Sequence, residues 1–560
     1  IADAMENAKQ FILITGWDFR HTTRLRRGEH QETIGELLKR KAEQGVQIRL
    51  CLWSDTLNFV GLGNSEAQSY FANVANAQVR LTTPRRTLGW SHHQKSVLVD
   101  RRGMNMPPIA FMGGLDLTKG RYDTKSHTLF SELETTFLGD VYSGEGFGDA
   151  KAKRLNSDDQ VITGPRQPWH DIHCKVSGPI FASLLKNFVD RWGDDELMKD
   201  IPVLSDFDTS FDSYQQKNHG DDKWAIQLHR SFPKVEHGIQ DAMVNAIKTA
   251  EKYIYIENQY FISQHEDGPS ALKNQIANAL ADKIIEKLGR DEEFCVYIIL
   301  PMFPEHGNPD GWKCRHTLHF EFDTIQHIYK RINDALNAYR GRNPNVEVNP
   351  TDYLQVYCLG NLEANAQLDF DVNSLGDRHQ RVVKSKRYMV YVHSKLMIVD
   401  DEYIMVGSAN INERSLANDR DTEIAISAVR LPRQQQNVDE APDVPQPNAA
   451  NDSHGMEKMH DEQSIARFRS QLFAEHLGAN LGFAPGSRMH ARKTLYRAVT
   501  NLGPFQTGMG RMQHGHLLPY VFVYYTSGVV EVRGNSIPDS TMTTRGRYSR
   551  VGNLAQEYLL

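Results

Sequence analysis

Cysteine is scarce: the 560 residues hold five, Cys51, Cys174, Cys295, Cys314 and Cys358, and none forms a C-x-x-C pair. A disulfide scaffold and a zinc ribbon are therefore excluded, and a reducing, cytoplasmic setting is expected. Long apolar runs are missing too. None approaches the ~20 residues that span a bilayer, so no transmembrane helix is expected. There is no excess of positive charge. The formal net charge is −6, which speaks against a general nucleic-acid binder. An initiator Met and a signal-peptide pattern are also absent. The chain opens in IADAMENAKQF, which reads as mid-helix, so the natural N-terminus is expected further upstream. The rest is ordinary globular composition, 40% hydrophobic and 24% charged, in a chain long enough for more than one lobe.

What the chain does have is one short pattern written twice. His93, Lys95 and Asp100 stand in SHHQKSVLVD; His393, Lys395 and Asp400 stand in YVHSKLMIVD. Both copies end in an apolar, β-branched run that predicts a buried strand. Residues two apart on a strand share a face, so each His projects with its Lys. Imidazole attacks electrophiles or moves protons near neutral pH, and Lys suits phosphate oxygens. Two such pairs at one spot suggest transfer at a phosphodiester. Asp100 and Asp400, seven residues from their histidines, read as structural supports.

The repeat is larger than the motif. Ile1–Ala8 matches Ile239–Ala246 at six of eight positions. In each half a helix runs into a strand (FILITGWDF, YIYIENQYF), and a second helix and strand follow. This predicts an α/β fold of two pseudo-symmetric lobes, each with a largely parallel sheet flanked by helices. The expected divisions are 1–205, 223–430, a flexible insertion at 431–463, and a C-terminal segment at 464–560 packing on the lobes. Polar connectors are expected at 150–165 and 201–222.

After the motifs come Gly113-Gly114-Leu115-Asp116 and Gly407-Ser408-Ala409-Asn410. Glycines there would let backbone approach a ligand, and Asp116, Ser408 and Asn410 would supply polar atoms. Asp123 and Glu423 each lie 30 residues beyond the His of their own half. A carboxylate at that matched spacing would hold the far imidazole nitrogen, with Asp421 a competitor of Glu423. His170 in PWHDIH, and Gln259 with Trp17 at strand ends, are candidate pocket residues; core packing is the alternative for each. A metal site at the motif histidines is disfavoured, because a neighbouring ammonium repels a cation and the usual ligand spacings are absent.

Together these blocks resemble the phospholipase D superfamily, whose signature is the duplicated His-x-Lys-x4-Asp motif. FMGGLDLTKGRYDT, PWHDIH, ENQYF, GSANINERS and GHLLPY are similar to the plant-type and other eukaryotic phosphatidylcholine-hydrolysing members. The resemblance implies a two-lobed catalytic region and a phosphohistidine on one motif His, with His93 the candidate nucleophile. The other His would serve as acid, then base, and the lysines with Asn410 would hold phosphoryl oxygens. It implies hydrolysis of the distal phosphodiester of a glycerophospholipid to phosphatidic acid, transfer to primary alcohols, and a monomer working at a phospholipid membrane surface. No cofactor is required for that chemistry; calcium is implied only by resemblance, with no ligands identified. Alternatives are a nuclease or phospholipid synthase of the same superfamily, or an inactive membrane-binding protein.

Overall fold

The apolar runs become two mixed β-sheets in the computed structural model. It describes residues 1–27, 32–55, 61–84, 90–101, 107–133, 135–137, 165–193, 224–232, 236–265, 272–302, 310–344, 347–367, 377–417, 420–430 and 464–547. The expected insertion at 431–463 and nearly all of both expected connectors lie outside these residues.

The first half supplies strands β1 (Phe11–Gly16), β2 (Gln47–Trp53), β3 (Ala77–Thr82), β4 (Ser96–Val99), β5 (Ile109–Gly113), β6 (Trp169–His170) and β7 (His173–Ser177). Its helices are α1 (Ala2–Glu6), α2 (Ile34–Glu43), α3 (Asn64–Phe71) and α4 (Ile180–Trp192). The Thr33 hydroxyl and the Glu36 carboxylate cap α2 reciprocally, which fixes where that helix starts. Further along come β8 (Trp224–Phe232), β9 (Glu236–His237), β10 (Tyr253–Asn258), β11 (Cys295–Ile299), β12 (Leu354–Leu362), β13 (Arg387–Val392), β14 (Lys395–Val399), β15 (Tyr403–Gly407), β16 (Glu423–Arg430) and β17 (Leu517–Pro519). The accompanying helices are α5 (Gly238–Thr249), α6 (Ile276–Gly289), α7 (Trp312–Arg342), α8 (Asp377–Ser385), α9 (Glu413–Leu416), α10 (Ile465–Leu477) and α11 (Arg488–Thr507).

The first sheet runs β3-β2-β1-β4-β5-β7. Inside the larger sheet the order β12-β11-β10-β14-β15-β16 repeats it. In both, the first two pairings are parallel and the next three antiparallel. The sheets are thus mixed, not largely parallel. Close sequence neighbours cause the difference. Only residues 400–402 separate β14 from β15, too few for a parallel crossover, so the chain must turn back as a hairpin.

β1 and β10 are buried along their whole length, and alternate residues feed different cores. Ile12 and Ile14 pack under α1 to α3. Phe11 and Leu13 meet Leu184 and Phe188 of α4 together with Ile424 and Ile426 of β16, so this core joins the two sheets. Tyr253 and Tyr255 of β10 pack with Leu472, Phe473 and Leu477 of α10 and with Ala491 and Ala498 of α11. Among the described residues no helix is long and apolar enough to cross a membrane.

Candidate active site

Backbone from one half positions the motif of the other. Residues 91–93 run beside 421–423: Thr422 N donates to Ser91 O (3.0 Å) and His93 N donates to Thr422 O (3.0 Å). Ser91 N donates to Asp421 Oδ1 at 2.7 Å, and Asp421 is clamped by Arg414. Asp421 is therefore a scaffold residue and not a competitor for an imidazole. Reciprocally, β6 lies parallel on β13, and His393 N donates to His170 O at 2.7 Å.

Each histidine then receives its carboxylate from the opposite half. Glu423 stands against Nδ1 of His93, with its oxygens at 2.9 and 3.1 Å. The Ser408 and Ser415 hydroxyls donate to Glu423 at 2.5 and 2.6 Å and fix it in place. Asp171 Oδ2 stands 2.7 Å from Nδ1 of His393. The expected pairing of each carboxylate with its own half's His is thereby corrected. Glu423 crosses to His93, and Asp123 reaches neither imidazole. Asp123 instead holds His127 at 2.9 Å, the Arg166 guanidinium and Trp169 N.

Strand register explains the error. Gly113 pairs with His173, and Gly407 pairs with Ala425. Asp171 and Glu423 both lie two residues before those partners, so they are equivalents. Fifty-nine residues, 114–172, separate β5 from β7, against fifteen, 408–422, between β15 and β16. Equal spacing along the chain therefore picks the wrong residue in the first half. PWHDIH contained the right one, and an acidic side chain flanked by two histidines was the available signal.

The lysines are tethered. Lys95 is 1% exposed; its ammonium donates to His93 O at 2.8 Å and lies 3.2 Å from Asp116 Oδ2. Lys395 donates to His393 O and to Gln259 Oε1, the latter at 2.9 Å, while Gln259 Nε2 donates to the Tyr391 hydroxyl. Asp116 and Gln259 are thus lysine partners. Asp116 also accepts from Trp17 N and Asp18 N. The Trp17 ring lies edge-on to His93 at 6.4 Å.

The remaining candidates sort by contact. A Cβ on Gly113 would meet Ile172 O at 2.5 Å, and one on Gly407 would meet Ile424 O at 2.5 Å. These glycines allow strands, not ligand, to approach. A Cβ on Gly114 would meet Asp171 Oδ1 at 2.1 Å. Ser408 serves Glu423. His170 is buried between Glu257 and Glu475, at 2.8 and 3.0 Å. Asn410 is 5% exposed, and its Oδ1 has no hydrogen-bond partner among the described residues. Asp400 accepts three backbone N–H groups, from Glu251, Lys252 and Tyr253, at 2.6 to 2.8 Å. Asp100 is fully buried, and its backbone N donates to Phe11 O as that of Asp400 does to Tyr253 O.

The four motif side chains share one electrostatic field. Burial, then Lys95 and Lys395, hold His93 down to about 3. Burial, then the same two lysines, hold His393 well below its ordinary value. Each imidazole therefore feels the ammonium of the other half. Both are neutral near pH 7, with the Nδ1 proton directed at a carboxylate and Nε2 left as the free acceptor. Burial lifts Glu423 to about 7 against the pull of Lys95, two serines and Lys395. Such a site can offer one nucleophilic nitrogen, one proton carrier and two fixed cations.

Two histidine–lysine pairs, each histidine completed by a carboxylate from the opposite half, define one duplicated site. A family model described as Phospholipase D matches residues 4–546, and the chain belongs to that family. It is 35% identical to "Phospholipase D alpha 2" of Oryza sativa subsp. japonica over 501 residues, covering 76% of this chain and 59% of that protein. It is 31% identical to "Phospholipase D alpha 1" of Arabidopsis thaliana, covering 98% and 72%, and 32% identical to "Phospholipase D beta 2" of the same plant, covering 92% and 60%. The chain spans about three fifths of the length of several of the curated relatives it matches.

Proposed function

We propose that this chain is a phospholipase D that hydrolyses the distal phosphodiester of a glycerophospholipid, with phosphatidylcholine the expected substrate. The observation that carries the reading is the exchange of carboxylates: Glu423 behind His93 and Asp171 behind His393. It gives two equally prepared imidazoles in one field, as a double displacement needs.

In the first step Nε2 of His93 attacks phosphorus, the bond to the head-group oxygen breaks, and Nε2–H of His393 gives that oxygen its proton. His393 is neutral in the free site; the anionic phosphodiester beside it favours the protonated form it needs. The Glu423 carboxylate accepts a hydrogen bond from Nδ1–H of His93 and stabilises the positive charge on the phosphohistidine ring. Lys95, Lys395 and the Asn410 amide, whose O and N exchange by a flip, hold the non-bridging oxygens. In the second step a water oxygen attacks phosphorus as His393 takes its proton, the P–N bond to His93 breaks, and phosphatidic acid leaves. A primary alcohol in place of water yields a phosphatidyl ester.

The substrate is a bilayer lipid, so the protein works as a peripheral enzyme on a membrane surface, as a monomer facing the cytoplasm. Both groups of three donors that could hold an ion are built on histidines, whereas calcium takes oxygens. No step is routed through it. Relatives named as phospholipases D and the net charge of −6 favour a lipid over a nucleic acid.

Phosphatidylcholine vesicles with ethanol provide the test. Phosphatidylethanol should form with the parent and vanish with His93→Ala and with His393→Ala. Full turnover in either variant would sink the two-histidine mechanism.

A further inference from the structure

One cluster of ligating side chains takes no part in the proposed reaction. His127 follows β5, His170 lies in β6 and Glu475 lies on α10. Oε1 of Glu475 is 3.2 Å from His127 Nε2 and 3.0 Å from His170 Nδ1. The three donor atoms all lie within 4.8 Å of one another. Three corners of a tetrahedron with bonds of ~2.0–2.1 Å are about 3.3 Å apart, the spacing a zinc-type ion demands.

A second observation concerns the opposite edge of each ring. Nδ1 of His127 is 2.9 Å from Asp123 Oδ2. Nε2 of His170 is 2.8 Å from Glu257 Oε2. Metal-bound imidazoles characteristically give their other N–H to a carboxylate, which fixes the tautomer and raises ligand basicity. Here both rings do so, through two different acidic residues. Asp123 is in turn held by Arg166 and Trp169 N, and Glu257 by the hydroxyl of Tyr255 and by His476.

Room and charge agree. His127, His170 and Glu475 all line one cavity of about 560 Å³, which gives an ion an entry path. Once the two imidazoles are neutral, as metal ligands must be, the carboxylates Asp123, Glu257 and Glu475 exceed the Arg166 guanidinium by two charges. Against burial, these carboxylates raise both imidazoles in the free site, so a divalent cation would take the place of two protons.

We propose that His127, His170 and Glu475 form a binding site for a divalent transition-metal cation of the zinc class, separate from the catalytic pairs. The ion would pin α10 to β6, one residue before the Asp171 that orients His393. Its role is structural.

The chain, stripped with a chelator and dialysed, would be titrated with Zn²⁺ by calorimetry and with Co²⁺ by visible spectroscopy. One equivalent should bind, and Co²⁺ should give the intense visible bands of a tetrahedral imidazole–carboxylate site. Glu475→Gln, nearly isosteric, should weaken Zn²⁺ by more than tenfold. Asp123→Asn, which leaves all three ligands in place, should weaken it by about 10–100-fold. Circular dichroism would verify that both variants are folded. The cobalt spectrum of the parent stands without any variant. Absence of stoichiometric binding would mean that shared protons occupy the cluster, and would overturn the proposal. Binding unchanged in Glu475→Gln and His127→Ala would place the ion elsewhere and overturn it equally.

Discussion

Asp171 stands 2.7 Å from Nδ1 of His393 although 222 residues separate them. The aspartate stands in the first half and the histidine in the second. Replacing Asp171 by Asn keeps the size but removes the charged acceptor, so the ring loses its tautomer. The expected loss in kcat is on the order of 10³–10⁴, with KM for phosphatidylcholine little changed. Asp123→Asn, at the residue that chain spacing favours, should cost far less. Steady-state kinetics of the two variants side by side decides which carboxylate orients His393.

Gly114 faces the same aspartate. An added methyl would meet Asp171 Oδ1 at 2.1 Å and His393 O at 3.0 Å. Gly114→Ala should therefore push Asp171 off its histidine. The expected outcome is about 1–3 kcal/mol of lost stability, measured by urea unfolding, and a fall in kcat larger than that loss accounts for.

Glu423 gives activity and stability opposite slopes with pH. Raised by burial to about 7, it is neutral below that pH and no longer offers a charged acceptor to Nδ1–H of His93. The kcat/KM should rise with pH through about 7. The stability sign is the reverse. A carboxyl raised above its ordinary 4.5 stabilises the fold fully below that value, and the contribution is lost as pH climbs through 7. Glu423→Gln should flatten both trends, one read by initial rates and the other by urea midpoints between pH 5 and 8.

His93 acts the other way. Held down to about 3, its contribution to stability is present above 6.5 and is lost as pH falls toward 3. His92, depressed first by burial and then by Arg191, to about 2, adds to the same acid limb. A His92→Gln chain should unfold less steeply between pH 6 and 4 than the parent, as followed by tryptophan fluorescence.

Asp400 separates architecture from chemistry. It accepts three backbone N–H groups at the entry to β10. Removing it leaves those donors short of a partner, at about 1–3 kcal/mol. Asp400→Ala should lower the unfolding midpoint, while molecules that remain folded keep the parent kcat.

The motif residues were legible because their information is local. His, Lys and the apolar run that follows lie within eight residues, and strand alternation does the rest. The recurrence of helix and strand was legible for the same reason. Three things were not. The hairpin β14–β15 reverses the chain where alternating helix and strand suggested a crossover. The partner of His393 sits after a long first-half excursion that breaks the matched spacing. Asp116 and Gln259 read as pocket residues because they are polar and near the motifs; that each also holds a buried ammonium has no local signal. Sequence shows which groups are present; it does not show which ones another group has already claimed.

The crossed carboxylates also make each half depend on the other. A change at Glu423 alters the chemistry of a histidine 330 positions earlier, and a change at Asp171 alters one far downstream. Neither half carries a complete histidine–carboxylate pair of its own, so neither half cut from the other would hold an oriented imidazole.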